Sequence, residues 1–564
     1  MNKKVYLAIM VTIVSLVWGH ATKVEAETIL YVPQDDRPVS LKYTVETAEG
    51  AGYDVITPPM YLISGKNYKG QADKIWDWVE ENAHRADVMV LSTDTLIYGG
   101  LVDSRKHNLP LSTLTNRVNR IESLKKEYPK IPFYGFGTVM RSPRASGGGV
   151  EPAYYGDYGP AIFRIAALQD KMDDSRLSDD EMAELMNLQT YVPIEYLQDW
   201  FNRRAENMKV NKSLIDLTRN HTFTYFALGH DDTSSLSQSA LEGRYLAAYS
   251  KNISSSEYGS FPGADQLGLL LIARARVDKL QLHPTFEVIY PLGGAGDTIP
   301  HYEDQSVAKT IAEHITAVGG TMITTGKPDV LLAVNTPLTK STGESEAFVN
   351  FPMISKSTNS FLDHIETAIH NGVQTNVIDI AYSNGSDNTL VFGLYQRDLL
   401  YRVGSYNGWN TASNSIGYAV AQSILATAMP VHNHNKMLTQ QYLDNWAYQA
   451  NIRKDVYRMQ DTIRLDNVRY TGALNSKLED YMNERIQDFA EKYLSLDPRT
   501  VSARFPWGRL FETEVSVYDE PIAPLQRDIR KQSEAAVATS GASSVDENGL
   551  GHVTSTIETE ASTN

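Results

Sequence analysis

The fold of this 564-residue chain is restricted most by one pattern: short, nearly uninterrupted apolar runs alternate with longer segments of helical spacing. The runs Thr28–Val32, Val88–Leu91, Phe133–Phe136, Phe223–Leu228, Glu287–Tyr290, Val330–Val334 and Asn376–Ile380 read as strands buried on both faces. Asp304 is placed to cap a helix carrying Val307, Ile311 and Ile315, closed by Gly319-Gly320. Ser360 with Asp363 resembles a capping box ahead of Leu362, Ile365 and Ile369. A strand apolar on both faces needs a layer on each side. The pattern therefore predicts an α/β fold of parallel sheet units flanked by helices.

The two halves of the chain echo each other. In the first, a strand leads to an acidic turn at Gln34–Arg37, a helix, a strand, and then Asp87-Val88 at the head of the next run. In the second, a strand leads to a Gly-rich turn at Gly293–Asp297, a helix, a short strand near Thr321–Thr324, and then Asp329-Val330. Each half closes on polar residues that open a helix, Asp232–Ser235 and Asn410–Ser413. Two duplicated doubly wound units, over 27–255 and 256–430, account for this; a decorated (β/α)8-type barrel is the alternative. Residues 155–219 read as a helical insertion in the first unit and 431–530 as a C-terminal helical domain with Tyr442, Trp446 and Tyr457. From Lys531 to Asn564 the chain is rich in Ser, Thr, Ala and Glu and lacks aromatic residues, so it is expected to stay disordered.

Lys3 and Lys4, an apolar stretch from Val5 to Trp18 and a small residue at Ala26 make residues 1–26 an expected secretory leader. The stretch is short for a bilayer span, so no permanent membrane anchor is expected, a retained N-terminal anchor being the alternative. An envelope or extracellular bacterial protein is the expectation. With no cysteine, disulfides, thiolate metal sites and a lipoprotein anchor are ruled out. The net charge of −16 opposes phosphate backbones, so no nucleic-acid partner is expected. The 32 tyrosines suit stacking on sugar rings, and equally suit a half-buried scaffold.

Ligands of α/β folds meet the loops leaving the carboxyl ends of strands. Here those loops carry acids, amides and a few arginines: Asp35, Asp36 and Arg37; Asp94 and Tyr98, with Asp103-Ser104-Arg105 beyond; Arg141; His230, Asp231 and Asp232; Asp297; Asn384 and Asp387; Trp409, Asn410 and Asn414. Asp231 and Asp232 are the catalytic candidates. Carboxylates side by side repel each other, which keeps one protonated beside an ionised partner, the pairing that glycosidic cleavage requires. Neighbours on an extended strand point apart, so both reach one substrate only where the chain bends sharply. The structural alternative is that Asp232 or Thr233 caps the next helix. Likewise Asp36 can sit at the head of a helix begun by Pro38, and Arg37 can pair internally. Gly293–Asp297 lacks the spacing of a nucleotide loop, and no cofactor is expected. His432 and His434, or the clustered aspartates, are the candidates if a metal is used.

Three strings resemble a bacterial family catalogued as a domain of unknown function, number 4127: Tyr31-Val32-Pro33-Gln34-Asp35-Asp36-Arg37-Pro38, Ser92-Thr93-Asp94-Thr95-Leu96-Ile97-Tyr98-Gly99-Gly100-Leu101, and Gly408-Trp409-Asn410-Thr411-Ala412-Ser413-Asn414. The resemblance spans nearly all the chain after residue 26 and implies no activity. Phe226-Ala227-Leu228-Gly229-His230-Asp231-Asp232 is similar to the strand and Asp-Asp signature of barrel hydrolases that remove N-acetylhexosamine. That likeness implies that Asp231 and Asp232 hold the acetamido group and donate a proton, with Asn410 or Asn414 on sugar hydroxyls. The expectation is a secreted glycoside hydrolase-like enzyme acting on an envelope or extracellular polysaccharide. The alternatives are a bilobed binding protein for a sugar or other polar ligand, and a metal-dependent hydrolase.

Overall fold

The computed structural model describes residues 26–144, 149–293, 296–462 and 473–521. The expected leader up to Glu25, the tail from Lys531, and Gly294 and Ala295 of the Gly-rich turn lie outside the described residues.

The chain forms two parallel sheets. The first holds β1 (Thr28–Val32), β2 (Asp54–Ile56), β3 (Val88–Ser92), β4 (Phe133–Val139), β5 (Tyr225–His230) and β6 (Tyr258–Pro262), in the order β2-β1-β3-β4-β5-β6. The second holds β7 (Thr285–Ile289), β8 (Thr321–Met322), β9 (Val330–Asn335), β11 (Gln374–Asp379) and β13 (Ser405–Asn407), in the order β13-β11-β9-β7-β8. The two-residue strands β10 (Gly343–Glu344) and β12 (Tyr382–Ser383) pair beside it. Read from the first strand of each sheet, both orders run 2-1-3-4-5, and the first sheet adds a sixth strand. The echo in the sequence is thus an echo in topology. Neither sheet closes into a barrel among the described strands.

Alternation along the strands divides the core. Ile29, Tyr31, Val88 and Val90 face one cluster, while Leu30, Val32, Met89 and Leu91 face another. The first cluster also takes Phe286, Val330, Leu332 and Ile378 of the second sheet, with the helices Leu267–Leu280, Val307–Ala317 and Ala412–Leu425 between. Every residue from Ala412 to Leu425 is buried. At about 1.5–3 kcal/mol per buried large apolar side chain, this shared layer binds the two sheets into one body. Helices Ala72–Asn82 and Leu111–Glu127 cover the far face of the first sheet. Lys356–His370 and the C-terminal helices cover that of the second.

Local details differ from expectation. Ser306, not Asp304, caps the helix at Val307, and Ser355 caps Lys356–His370, which leaves Ser360 and Asp363 inside that helix. Residues 155–219 form the helices Tyr155–Asp174, Asp179–Tyr191 and Ile194–Arg219. The C-terminal region is helical from Val431, with a π-helix at Tyr442–Ile452. It then turns into a hairpin, β14 (Val501–Arg504) with β15 (Glu514–Val517), where helix was expected. That hairpin reaches back to the helix Lys42–Gly50 that follows β1, since Lys42 Nζ donates to Glu514 at 2.9 Å.

Candidate functional site

The carboxyl ends of both sheets open on one cavity of about 880 Å³, within the usual range for a small-molecule site. The first sheet contributes Arg37 after β1, Arg105 beyond β3, Arg141 after β4, Asp231 and Asp232 after β5, and Asp265 after β6. The second contributes Glu303 from the loop after β7, Asn384 after β12, and Asn410 and Asn414 after β13. Trp507 and Arg509 of the C-terminal hairpin complete the wall.

Each arginine is held by carboxylates. The Arg37 Nε donates to Asp35 at 2.9 Å, and its terminal nitrogens grip Asp265 at 2.5 and 3.2 Å. Gln34 Nε2 donates to the same Asp265 at 2.7 Å. Across the cavity, Asn410 Nδ2 donates to Asp265 at 3.3 Å, a hydrogen bond between the loops of the two sheets. Arg105 donates to Asp231 at 2.6 Å, and Arg141 to Asp232 at 2.7 Å and to the buried Glu151 at 2.7 Å. Beneath Arg141, the Arg204 guanidinium binds Glu242 and the carbonyls of Met140 and Arg141, which fixes the end of β4.

The bend that two adjacent aspartates require is present. Asp232 has φ +34°, a left-handed conformation that is costly for a residue with a side chain. Both carboxyls line the cavity as a result. The capping alternative does not hold. The following helix, Gln238–Ser250, is capped by Ser237, and Thr233 instead lies against Ser237 and Asp304. Burial raises the pKa of Asp232, with Asp231 adding to the effect and Arg141 opposing it. Asp265 is likewise raised by burial, against the pull of Arg37.

Several expected residues lie elsewhere. Asp35 sits behind Arg37 and is fully buried. Asp36 faces away and accepts from Tyr68 Oη and from Trp507 Nε1, the latter at 2.7 Å, which anchors the hairpin; burial pushes it up to about 6. Asp94 lies behind the wall, taking a 2.6 Å bond from Thr138, and is pushed up to about 7 by burial. The Tyr98 ring stacks on His107 with centroids 4.9 Å apart. Asp297 is exposed and paired with Lys340 at 2.5 Å. Trp409 belongs to the core between the sheets. The rule of looking past strand ends places a residue near the sheet edge but not the direction of its side chain, and these positions turn away.

Other lining residues were not foreseen. Asp265 follows β6, whose sequence Tyr-Gly-Ser-Phe-Pro has too few apolar residues to announce a strand. Glu303 lies in a loop far past the end of β7. Trp507 and Arg509 come from the unforeseen hairpin. No group of three or more His, Asp or Glu that could hold a metal occurs among the described residues. His432 pairs with Asp519, and the His434 ring lies 2.8 Å from the Gly404 carbonyl. No described helix is long and apolar enough to cross a membrane.

Residues 29–516 match the model of the family described as protein of unknown function (DUF4127), and the chain belongs to that family. No match was found among curated proteins or among solved structures.

Proposed function

We propose that this protein is an exported enzyme of the glycoside hydrolase type, acting on an envelope or extracellular polysaccharide, with Asp231 and Asp232 at its catalytic centre. The observation that carries the reading is the strained turn at Asp232, which brings two adjacent carboxyls to one cavity although neither is needed to cap a helix. A backbone outlier at a polar cleft is the kind of feature that function, rather than folding, maintains. Burial raises the pKa of Asp232, the salt bridge from Arg141 opposes that rise and the proximity of Asp231 adds to it, so its charge is set by the cleft. Asn384, Asn410 and Asn414 supply amide groups suited to sugar hydroxyls. Export rests on the leader pattern of residues 1–26.

A second reading, a non-catalytic binding protein for a sugar or other polar ligand, is favoured by one observation. The cavity arginines Arg37, Arg105 and Arg141 already pair with carboxylates, a rigid polar frame of the kind that recognition alone would use. Incubation with bacterial wall and exopolysaccharide preparations, followed by assay of new reducing ends, separates the two. The enzyme reading expects release by the wild type and loss of at least about a hundredfold in Asp231→Asn and Asp232→Asn. Full activity in both variants would overturn the aspartate-pair mechanism. Tight sugar binding without release would favour the binding protein.

A further inference from the structure

Glu303 is a fourth carboxyl on the same cavity, beside Asp231, Asp232 and Asp265, and its surroundings differ from those of the aspartates. It is 3% exposed. Its Oε1 accepts the backbone N–H of Ser413 at 2.5 Å, in the first turn of the buried helix Ala412–Leu425, so the side chain is fixed in direction. Its Oε2 has no hydrogen-bond partner among the described residues, and no cation pairs with it there. Asp231, Asp232 and Asp265 each hold an arginine. A buried carboxyl without a cation is most cheaply kept neutral, with a proton on the free oxygen. In agreement, burial pushes Glu303 up to about 7, with Asp304 and Asp232 adding to the rise and Ser413 opposing it.

We propose that Glu303 is the proton donor of this cavity, delivering the proton on Oε2 to the bridging oxygen of the bound glycan. This rests on the glycoside hydrolase reading. As the glycosidic C–O bond breaks, its electron pair goes to the leaving oxygen, which takes the Oε2 proton. The carboxylate of Asp232, held by Arg141, faces the positive charge left at carbon. A water molecule adds to that carbon, and its surplus proton returns to Glu303, so the step is a hydrolysis with no other reactant.

The variant Glu303→Gln retains an Oε1 for Ser413 and a hydrogen-bond donor in place of the Oε2 proton, but has no proton to give. Its thermal midpoint checks the fold. On polysaccharide it should lose about 10²- to 10⁴-fold in turnover. On the 4-nitrophenyl glycoside of the same sugar, whose leaving group needs no proton, turnover should stay within about tenfold of wild type. The wild-type pH profile should fall above about 7 as Glu303 ionises in the field of Asp304 and Asp232. The infrared carbonyl absorption of protonated carboxyls near neutrality should lose one component in Glu303→Gln, that of Glu303, while the buried Asp94, Asp379 and Asp444 keep theirs. Loss in Asp232→Asn with undiminished polysaccharide cleavage in Glu303→Gln overturns the donor assignment and leaves the hydrolase reading standing. A wild type that cleaves no glycan overturns the hydrolase reading and the donor role together.

Discussion

Arg105 and Asp231 place opposite charges 2.6 Å apart, with side chains only 6% and 10% exposed. Such a pair contributes little net stability, because desolvation offsets attraction, yet removing one partner strands the other. Arg105→Met should therefore cost about 3–5 kcal/mol in urea unfolding, and adding Asp231→Leu should recover much of it. An unchanged midpoint in Arg105→Met would show that Asp231 is solvated rather than buried. Asp94, just behind, concerns pH instead. Asp94, Asp379 and Asp444 are each pushed up to about 7, foremost by burial. A carboxyl that holds its proton more tightly when folded stabilises fully below its unfolded pKa of about 4, and that contribution is lost as pH rises through about 7. Stability should fall between about pH 4 and 7, and Asp94→Asn should make the fall shallower by up to about 1.4 kcal/mol per pH unit. An identical slope in the variant would mean that Asp94 ionises normally. At this level the sequence was half legible. Asp231, Asp232, Arg37, Arg141, Asn384, Asn410 and Asn414 are found at the cavity, as their places after strands suggested. Asp94 and Trp409 follow strands too, but packing turns them inward.

The ends of β5 and β6 meet more closely than side chains allow. A Cβ on Gly229 would lie 2.1 Å from the Gly263 carbonyl oxygen, and Gly263 itself has φ +101°. This contact draws Asp231 and Asp265 toward the same opening. Gly229→Ala must push backbone against backbone, at a cost of about 1–3 kcal/mol or more. Its unfolding midpoint should drop and its cavity chemistry suffer with it; a wild-type midpoint would show that the two loops part without strain. Elements were legible where apolar runs were continuous, as in β1, β3, β4 and β9. They were hidden where interrupted: β6 carries a glycine and a proline. The hairpin β14–β15 was masked by charged neighbours that read as helix, so Trp507 and Arg509 could not be assigned to the cavity.

The shared layer of Leu267–Leu280, Val307–Ala317 and Ala412–Leu425 makes the two sheets depend on each other. Heat should therefore unfold the described body in one calorimetric transition, and two well-separated transitions would mean that each sheet holds a core of its own. The same dependence builds the site, because Asn410 and Glu303 of one sheet complete what Arg37, Asp231 and Asp265 begin on the other. The repeat was visible in the sequence as two similar successions of strand, turn and helix. Their meeting at a common cavity was not, since it follows from packing between units that periodicity does not encode. The decisive measurement is mass spectrometry of oligosaccharides released from bacterial wall glycan in water enriched in oxygen-18, with the new ends reduced at once. Hydrolysis at this cavity requires one heavy oxygen at each new reducing end with the wild type, and none with Asp232→Asn. Equal labelling by both proteins, or no released ends from either, would contradict it.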